Sequence, residues 1–448
     1  MRFSKIAAVT GGQLHGADGE ALTFSTDTRQ IAAGDFFVAL SGENFDANAF
    51  VARAAEAGAC GAMVTVLNPG LPLPQVLVPD TRVALQQLAL AWRLQFNPVR
   101  VAITGSSGKT TVKEMAASIF SKAGETLATL GNKNNEIGVP LTLLRLGAQH
   151  KYGVFELGAN HKGEIACTSG LVQPQAALIN NVGVAHLEGF GSRQGIADAK
   201  GEIFSGLTVD GVAVVNRDDD YADYHLSLNA GRRVITFSVN GPADVSAKSL
   251  IRQAGGAWTF DLQLPDVTLP IHLQVLGQHN VSNALAAAAL ALACDIAPGH
   301  IRDGLQAAKP APGRLERHRC GDLVVIDDTY NANPASMKAA LDMLAGCEGR
   351  RIAILGGMGE LGDGAAEMHA EVGAHAASLG IDLLLAVGNF HEGTVLGFGP
   401  GNVCGFATQD ELLAVLPTLI KGPATVLVKG SRSARMERVV QKLIEEQR

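Results

Sequence analysis

The sequence predicts an α/β protein of three domains: a small α/β domain over 1–82, a central parallel-sheet domain over 83–310, and a Rossmann-like domain over 311–448. Three observations predict it. The chain has 448 residues, and one domain per about 150 residues is the usual measure. Strand and helix patterns alternate along most of it, the rhythm of parallel sheets with crossover helices. Two proline-containing joints, "FNPVR" and the stretch Lys309–Glu316, interrupt that rhythm.

The first block mixes strand patterns ("GDFFVAL", "CGAMVTV", "PQVLVP") with an alanine-rich helix, "NAFVARAAEAG". Apolar spacing predicts a helix over Ala84–Gln95, ahead of the first joint. The second block opens with the β-branched strand "VRVAIT" and continues through the strands "YGVFELG", "AALINNVG" and "GVAVVN". It closes on the helix "VSNALAAAALALACDI". After the second joint come the strands "DLVVIDD", "RIAIL", "DLLLAVG" and "TVLVKG", again separated by helical patterns.

The bulk numbers exclude several classes. Hydrophobic residues at 47% with charged residues at 18% describe a globular chain rather than a disordered one. A net charge of −7 with no basic run argues against nucleic-acid binding. The six cysteines are scattered without a C-x-x-C, which reads as free thiols in a reducing compartment. The longest apolar stretch, Ala284–Cys294, falls short of the ~20 residues of a membrane span, and the N-terminal residues lack an export signal. A cytoplasmic, soluble protein is expected.

The stretch "VAITGSSGKTTVKEM" carries the chemistry. Strand, glycine turn and helix N-terminus in that order make an anion site, because backbone N–H groups and the helix dipole converge there. Gly105 and Gly108 allow close backbone approach around Ser106 and Ser107. Lys109 can reach β- and γ-phosphates, the Thr110 hydroxyl can ligate Mg²⁺, and Thr111 continues the helix. The generic pattern G-x-x-x-x-G-K would put its first glycine at position 103, where Ile103 stands, so the loop is a shortened one. A nucleotide with a metal ion calls for an acidic group at a neighbouring strand end. Glu156 in "YGVFELGAN" and His186 in "INNVGVAHLEGFGS" answer that requirement.

Other residues have plain local readings. His279, Asn280 and Asn283 stand at the first turn of the alanine-rich helix, where asparagine caps well. Asn333 precedes Pro334 as a cap precedes a first helical proline, which leaves Tyr330 and Asn331 at a strand's C-terminal end. Lys200 in "ADAKGEIF" reads as a surface helix lysine. "GGMGELG" matches the dinucleotide fingerprint G-x-G-x-x-G. Yet Glu360 and Asp363 put carboxylates where a pyrophosphate would sit, so its glycines are expected to serve loop geometry.

The short loop T-G-x-x-G-K-T, here "TGSSGKTT", resembles that of the Mur ligases, ATP-dependent amino-acid ligases of peptidoglycan precursor synthesis. The resemblance spans essentially the whole chain, through "STDTRQIAAGDFFVALSGENFDANAF", "GNKNNEIGVPLTLL", "FELGANHKGEI", "AHLEGFGS", "AKGEIF", "GQHNVSNALAAAA", "APGRLE", "DDTYNANPASM", "LGGMGELG" and "VKGSRSARME". "DDTYNANP" and "ELGANH" are similar to the branch that adds D-alanyl-D-alanine.

The resemblance implies a reaction: ATP phosphorylates the tripeptide carboxylate of UDP-N-acetylmuramoyl-tripeptide, and the amine of D-alanyl-D-alanine then displaces phosphate, the last cytoplasmic step of the nucleotide precursor. It implies a first domain that holds the UDP portion through Asp27, Thr28 and Arg29, and a central domain that binds ATP with two Mg²⁺. Thr110, Glu156, His186 and a carbamylated Lys200 would hold the metal ions. His279, Asn280 and Asn283 would lie at the adenine, Arg314 at the phosphates from across a domain joint, and Asp328 near the ribose. Asn134, Asn135, Tyr330, Asn331 and Asn333 would line the substrate cleft. A monomer is expected. The rival readings are another Mur ligase or a folylpolyglutamate synthase, and, from a different class, a P-loop switch or transport ATPase without ligation.

Overall fold

The computed structural model describes residues 1–42, 45–183, 187–253 and 255–445. Its first sheet has the order Gln13–His15, Gln75–Leu77, Gly61–Val64, Asp35–Val38, Thr23–Ser25, parallel except for the first pair. The expected alanine-rich helix is shorter than its pattern: a 3-10 turn over Ala47–Phe50 leads into Val51–Glu56. The Asp46 carboxylate starts that turn by accepting from the Asn48 amide.

The helix expected over Ala84–Gln95 runs Thr81–Arg93. Asp80 sets its start, accepting from the amides of Arg82 and Val83, a side-chain cap that the apolar spacing did not register. Its buried face, including Leu85 and Leu88, shares one core with Phe3 and Phe36 below and Phe155 and Ile179 above. The helix that leads into the first joint is therefore packed against both the first and the central domain.

The central sheet has nine strands. From one edge they are Thr268–Leu276, Ala257–Gln263, Val245–Arg252, Val234–Ser238, Val212–Asn216, Ala176–Ile179, Val99–Thr104, Tyr152–Glu156 and Thr126–Ala128. The seven from Val245–Arg252 onward are parallel. In strand Val99–Thr104, Val101 and Ile103 enter one core while Ala102 enters the other. Burial on both faces explains why this strand reads as continuously apolar. The Thr268–Leu276 edge is an antiparallel pair of hairpins that the strand–helix rhythm did not anticipate. Its signal was present, since Thr268–Leu276 alternates exposed and buried residues along most of its length. Helix His279–Ala293 is buried nearly all round, and its alanines let it lie close against the sheet.

The third sheet has the order Glu316–Cys320, Leu323–Asp328, Ala424–Lys429, Arg351–Gly356, Leu383–Val387, Val403–Phe406, parallel except for the first strand. Ile352 and Ile354 point into one core and Ala353 and Leu355 into the other. No helix among the described residues is long and apolar enough to cross a membrane.

Candidate active site

Strand Val99–Thr104 lies inside the parallel run, flanked by Tyr152–Glu156 and Ala176–Ile179. The turn that follows it leads into helix Lys109–Ala123. Gly108 has φ +78°, and a Cβ there would lie 2.5 Å from Asn283 Oδ1 and 2.6 Å from Asn180 Nδ2. Glycine is thus required twice over, by backbone conformation and by crowding.

The crowding comes from an asparagine lattice. Asn180 Nδ2 donates to the Ser107 carbonyl and to Asn283 Oδ1, each at 2.9 Å. Asn283 in turn donates to Asn280 Oδ1 at 2.7 Å, and Asn280 to the Leu276 carbonyl at 2.6 Å. Asn181 accepts from the Ser106 amide through its carbonyl and from the Ser107 amide through its side chain, at 2.9 and 2.8 Å. Those two loop amides are therefore occupied in shaping the turn. The donors left for phosphate are the orphan amides at the start of helix Lys109–Ala123. Asn280 and Asn283 do not cap their helix: Gln278 precedes it with no side-chain cap bond, and both amides serve the lattice. Asn180 and Asn181 were missed in the sequence, because "INNVG" reads as an ordinary strand end until its neighbours are known.

The corner where Thr110 meets Glu156 is built of oxygen. Thr110 Oγ1 donates to Glu156 Oε2 at 2.9 Å, and Asn134 Nδ2 donates to Glu156 Oε1 at 2.8 Å. Glu156 is 2% exposed, and its own amide donates to Thr129 Oγ1 at 3.0 Å. Asn135 instead turns back on its own chain, its side chain accepting from the Gly138 amide at 2.9 Å just where the next helix starts. A hydroxyl and a carboxylate converging on one point are the donor set that Mg²⁺ takes. His186 lies outside the described residues.

Lys109 is half-buried and donates to the Gly105 carbonyl at 2.8 Å. Burial pushes its pKa down, opposed by Glu156 and reinforced by Arg314. Lys200 corrects the surface reading: it is only 4% exposed, on helix Arg193–Gly201. Among the described residues its amine has neither a hydrogen bond nor an ion pair. Burial first, and Lys109 second, drive its pKa well below the usual lysine value.

The third sheet closes a cavity of about 300 Å³ over this loop. Arg314 stands in its wall, with its guanidinium 4.2 Å from the centre of the Tyr330 ring. Asp328 pairs with buried Lys429 at 2.6 Å, and Lys429 also donates to the Asn331 carbonyl at 2.9 Å. Lys429 went unremarked in the sequence, where it is one more strand-end lysine. Asn333 forms the expected capping box with Ser336 ahead of Pro334, and its Nδ2 also donates to Ser107 Oγ at 3.2 Å. One cap residue thus touches the phosphate loop from the other side of the cleft. His279 lines the same cavity. Asp27, Thr28 and Arg29 lie apart from it on the first sheet's side, where Arg29 pairs with Asp27 at 2.7 Å. That pairing, through the Arg29 side chain and amide, holds the Asp27 carboxyl at about 2.

A second cavity, of about 610 Å³, opens at the C-terminal ends of strands Arg351–Gly356, Leu383–Val387 and Ala424–Lys429. Gly357, Gly359 and Gly362 of "GGMGELG" line it in a loop that passes through a 3-10 turn, Gly362–Gly364, before the helix begins at Ala365. No dinucleotide-type helix start follows the strand directly.

Comparison with known proteins decides the family. The Mur ligase middle domain matches residues 103–291, and the Mur ligase, glutamate ligase domain matches residues 313–432. The UDP-N-acetylmuramoyl-tripeptide–D-alanyl-D-alanine ligase of Escherichia coli is 45% identical, across 99% of this chain and 98% of that protein. The chain belongs to the Mur ligase family, in its MurF branch. The ligase of the same name from Haemophilus influenzae is 43% identical, across 94% of this chain and 93% of its own. Among solved structures, MurF from Acinetobacter baumannii superposes with a TM-score of 0.92 at 39% identity, across 99% of this chain and 98% of that one. MurF from Thermotoga maritima in complex with ADP gives 0.82 at 26%, across 95% and 97%. Folylpolyglutamate synthase from Mycobacterium tuberculosis, at 19% identity and a TM-score of 0.66, shares the fold alone.

Proposed function

We propose that this MurF-branch ligase joins D-alanyl-D-alanine to the peptide carboxylate of UDP-N-acetylmuramoyl-tripeptide at the expense of ATP. The observation that carries the reading is the composition of the smaller cavity. Lys109 and Thr110, the latter bonded to Glu156, approach from the central sheet, and Arg314, Lys429 and Asn333 approach from the third. Cations on both walls suit a triphosphate, and chemistry at the γ-phosphoryl would require both walls in place.

The tripeptide carboxylate oxygen attacks the γ-phosphorus and ADP leaves, which gives an acyl phosphate. The dipeptide amine then attacks the carbonyl carbon, the bond to the phosphate oxygen breaks, and the amine gives up a proton. Lys109 exchanges the Gly105 carbonyl for phosphate oxygens, whose charge favours its ammonium form and offsets burial. Arg314 meets charge developing on the same oxygens, and the helix amides add fixed dipoles. Thr110 and Glu156 would hold Mg²⁺, which supplies Lewis-acid polarisation of the phosphoryl oxygens.

Lys200 fits a second Mg²⁺ as a carbamate. A buried amine with a lowered pKa is the neutral nucleophile that CO₂ requires: the N–C bond forms, a proton leaves, and an anion results. The first sheet, with Asp27, Thr28 and Arg29, is assigned to the uridine diphosphate, which would compete with Asp27 for Arg29. The domain division at 82 and 310 and a monomeric state complete the proposal.

The acceptor dipeptide is assigned to the larger cavity. Lys429 lines the nucleotide cavity and Ser431 lines the larger one, so the two flank a single strand end. Three of the seven left-handed non-glycine residues among those described, Glu360, Phe390 and Arg435, lie in its wall. Such conformations cost roughly 1–3 kcal/mol each and collect at ligand sites. Tyr330, Asn331 and Asn333 would guide the amine towards the phosphate loop.

The test is ADP and phosphate release with Mg²⁺-ATP and UDP-N-acetylmuramoyl-tripeptide, with and without D-alanyl-D-alanine. Turnover should depend on the dipeptide; release at the same rate without it would remove the assignment.

A further inference from the structure

The larger cavity is walled by a loop with little regular structure, and one buried side chain ties that loop to a rigid frame. His369 is 2% exposed, on helix Ala365–Ser378. Its Nε2 accepts from the Met358 amide at 2.9 Å, and its Nδ1 lies 2.6 Å from the Ala365 carbonyl. Those partners fix the tautomer: Nδ1 carries the hydrogen and Nε2 the lone pair. The imidazole also stacks on Phe390, centre to centre 4.9 Å. Met358, Ala365 and Phe390 all line the cavity, so one ring joins three parts of its wall.

The frame behind the ring does not yield. A Cβ on Gly373 would lie 2.0 Å from the Thr394 carbonyl oxygen, and one on Gly397 would lie 1.9 Å from that of Ala370. Helices Ala365–Ser378 and His391–Phe398 therefore meet backbone to backbone. Gly393 sits against His369 itself, its would-be Cβ 3.7 Å from the histidine Cβ. The loop is also anchored by the Met358 and Leu361 side chains, which enter the core, and by the Gly357 carbonyl, which accepts from the Ser431 amide at 3.0 Å.

We infer that His369 is a positioning residue for the acceptor dipeptide, holding the loop from Gly357 to Gly362 in the shape that receives it. The inference rests on the assignment of the larger cavity to D-alanyl-D-alanine. His369 touches no reacting atom; it acts through the Met358 amide and the Phe390 ring. Glutamine at 369 presents an amide oxygen near the place of Nε2, whereas alanine presents nothing.

The experiment is steady-state kinetics of the full chain with Mg²⁺-ATP, UDP-N-acetylmuramoyl-tripeptide and varied D-alanyl-D-alanine. For His369→Ala the KM for the dipeptide should rise on the order of 10-fold, the loss of one buried hydrogen bond and its orphaned donor. The KM for ATP should stay within about 2-fold, and His369→Gln should recover most of the loss. Equal changes in both KM values, or an unchanged dipeptide KM in His369→Ala, would overturn the inference. Should His369→Ala fold poorly, Phe390→Leu and His369→Gln provide the same comparison, and a dipeptide KM unmoved in Phe390→Leu counts against it. If the unaltered chain ligates no dipeptide, the ligase reading itself fails. If it ligates and the variants show no split, only the role of His369 fails.

Discussion

Replacing Asn180 with alanine tests whether the asparagine lattice shapes the phosphate loop. The side chain is 2% exposed and makes two 2.9 Å bonds, to the Ser107 carbonyl and to Asn283 Oδ1. Their loss is unequal. The Ser107 carbonyl keeps a bond from Asn181 Nδ2 at 3.1 Å, so about 1 kcal/mol is at stake there. Asn283 Oδ1 is left without this donor in a buried place, which costs about 1–3 kcal/mol. Against that, Asn180 Oδ1 is itself buried without a partner, so truncation removes one unsatisfied acceptor. The net is about 2 kcal/mol, or roughly 30-fold in kcat/KM for ATP if loop shape is needed in the transition state. The assay is a double-mutant cycle on kcat/KM for ATP with Asn283→Ala. Because the two side chains share one bond, the double variant should lose about 1 kcal/mol less than the sum of the singles. Strictly additive losses would refute the lattice as a unit, and an unchanged kcat/KM in Asn180→Ala would refute its role.

Lys200→Ala should abolish turnover without unfolding the chain, since it removes a buried amine with no partner among the described residues. Added bicarbonate should not restore it, and near-normal turnover would rule out the carbamate. Arg314→Ala should lower kcat by about 10²-fold or more while leaving thermal stability within about 1 kcal/mol, because its visible contact is a half-buried stack on Tyr330. An unchanged kcat would disprove closure through that arginine. Stability should fall in acid through His225 and His369, both 2% exposed and both held below the usual 6.5, chiefly by burial. The sign follows from proton counts. Below 6.5 the unfolded chain takes up protons that the folded chain refuses, so stability is intact above that pH and declines beneath it towards the lowered folded values. Thermal melts of His369→Gln between pH 8 and 5 should show a shallower decline than the unaltered chain, and identical slopes would exclude His369 as a contributor.

Much of the candidate site was legible wherever its parts are contiguous. Residues 101–115 hold strand, turn and helix start in one local run, and Asn333 with Pro334 reads as a cap in any setting. Lys200 was misread because its side-chain environment comes from elements elsewhere in the chain. The antiparallel edge of the central sheet was passed over even though its alternation was visible, because the parallel rhythm around it dominated. The lattice of Asn180, Asn181, Asn280 and Asn283 joins two strand ends to a helix about a hundred residues away, a meeting that depends on strand order.

The sequence by itself determined the phosphate loop, the α/β alternation and the Asn333 cap, because each rests on backbone geometry and propensities that act over a few turns. Only the tertiary structure decided which amides remain free for phosphate, that Lys200 is buried, and that a larger cavity lies beside the nucleotide one. Those outcomes depend on which strand ends lie side by side and on which helices meet without side chains between them. Such contacts form between distant parts of the chain, and burial and pairing, unlike helix or turn preference, are properties of the assembled neighbourhood.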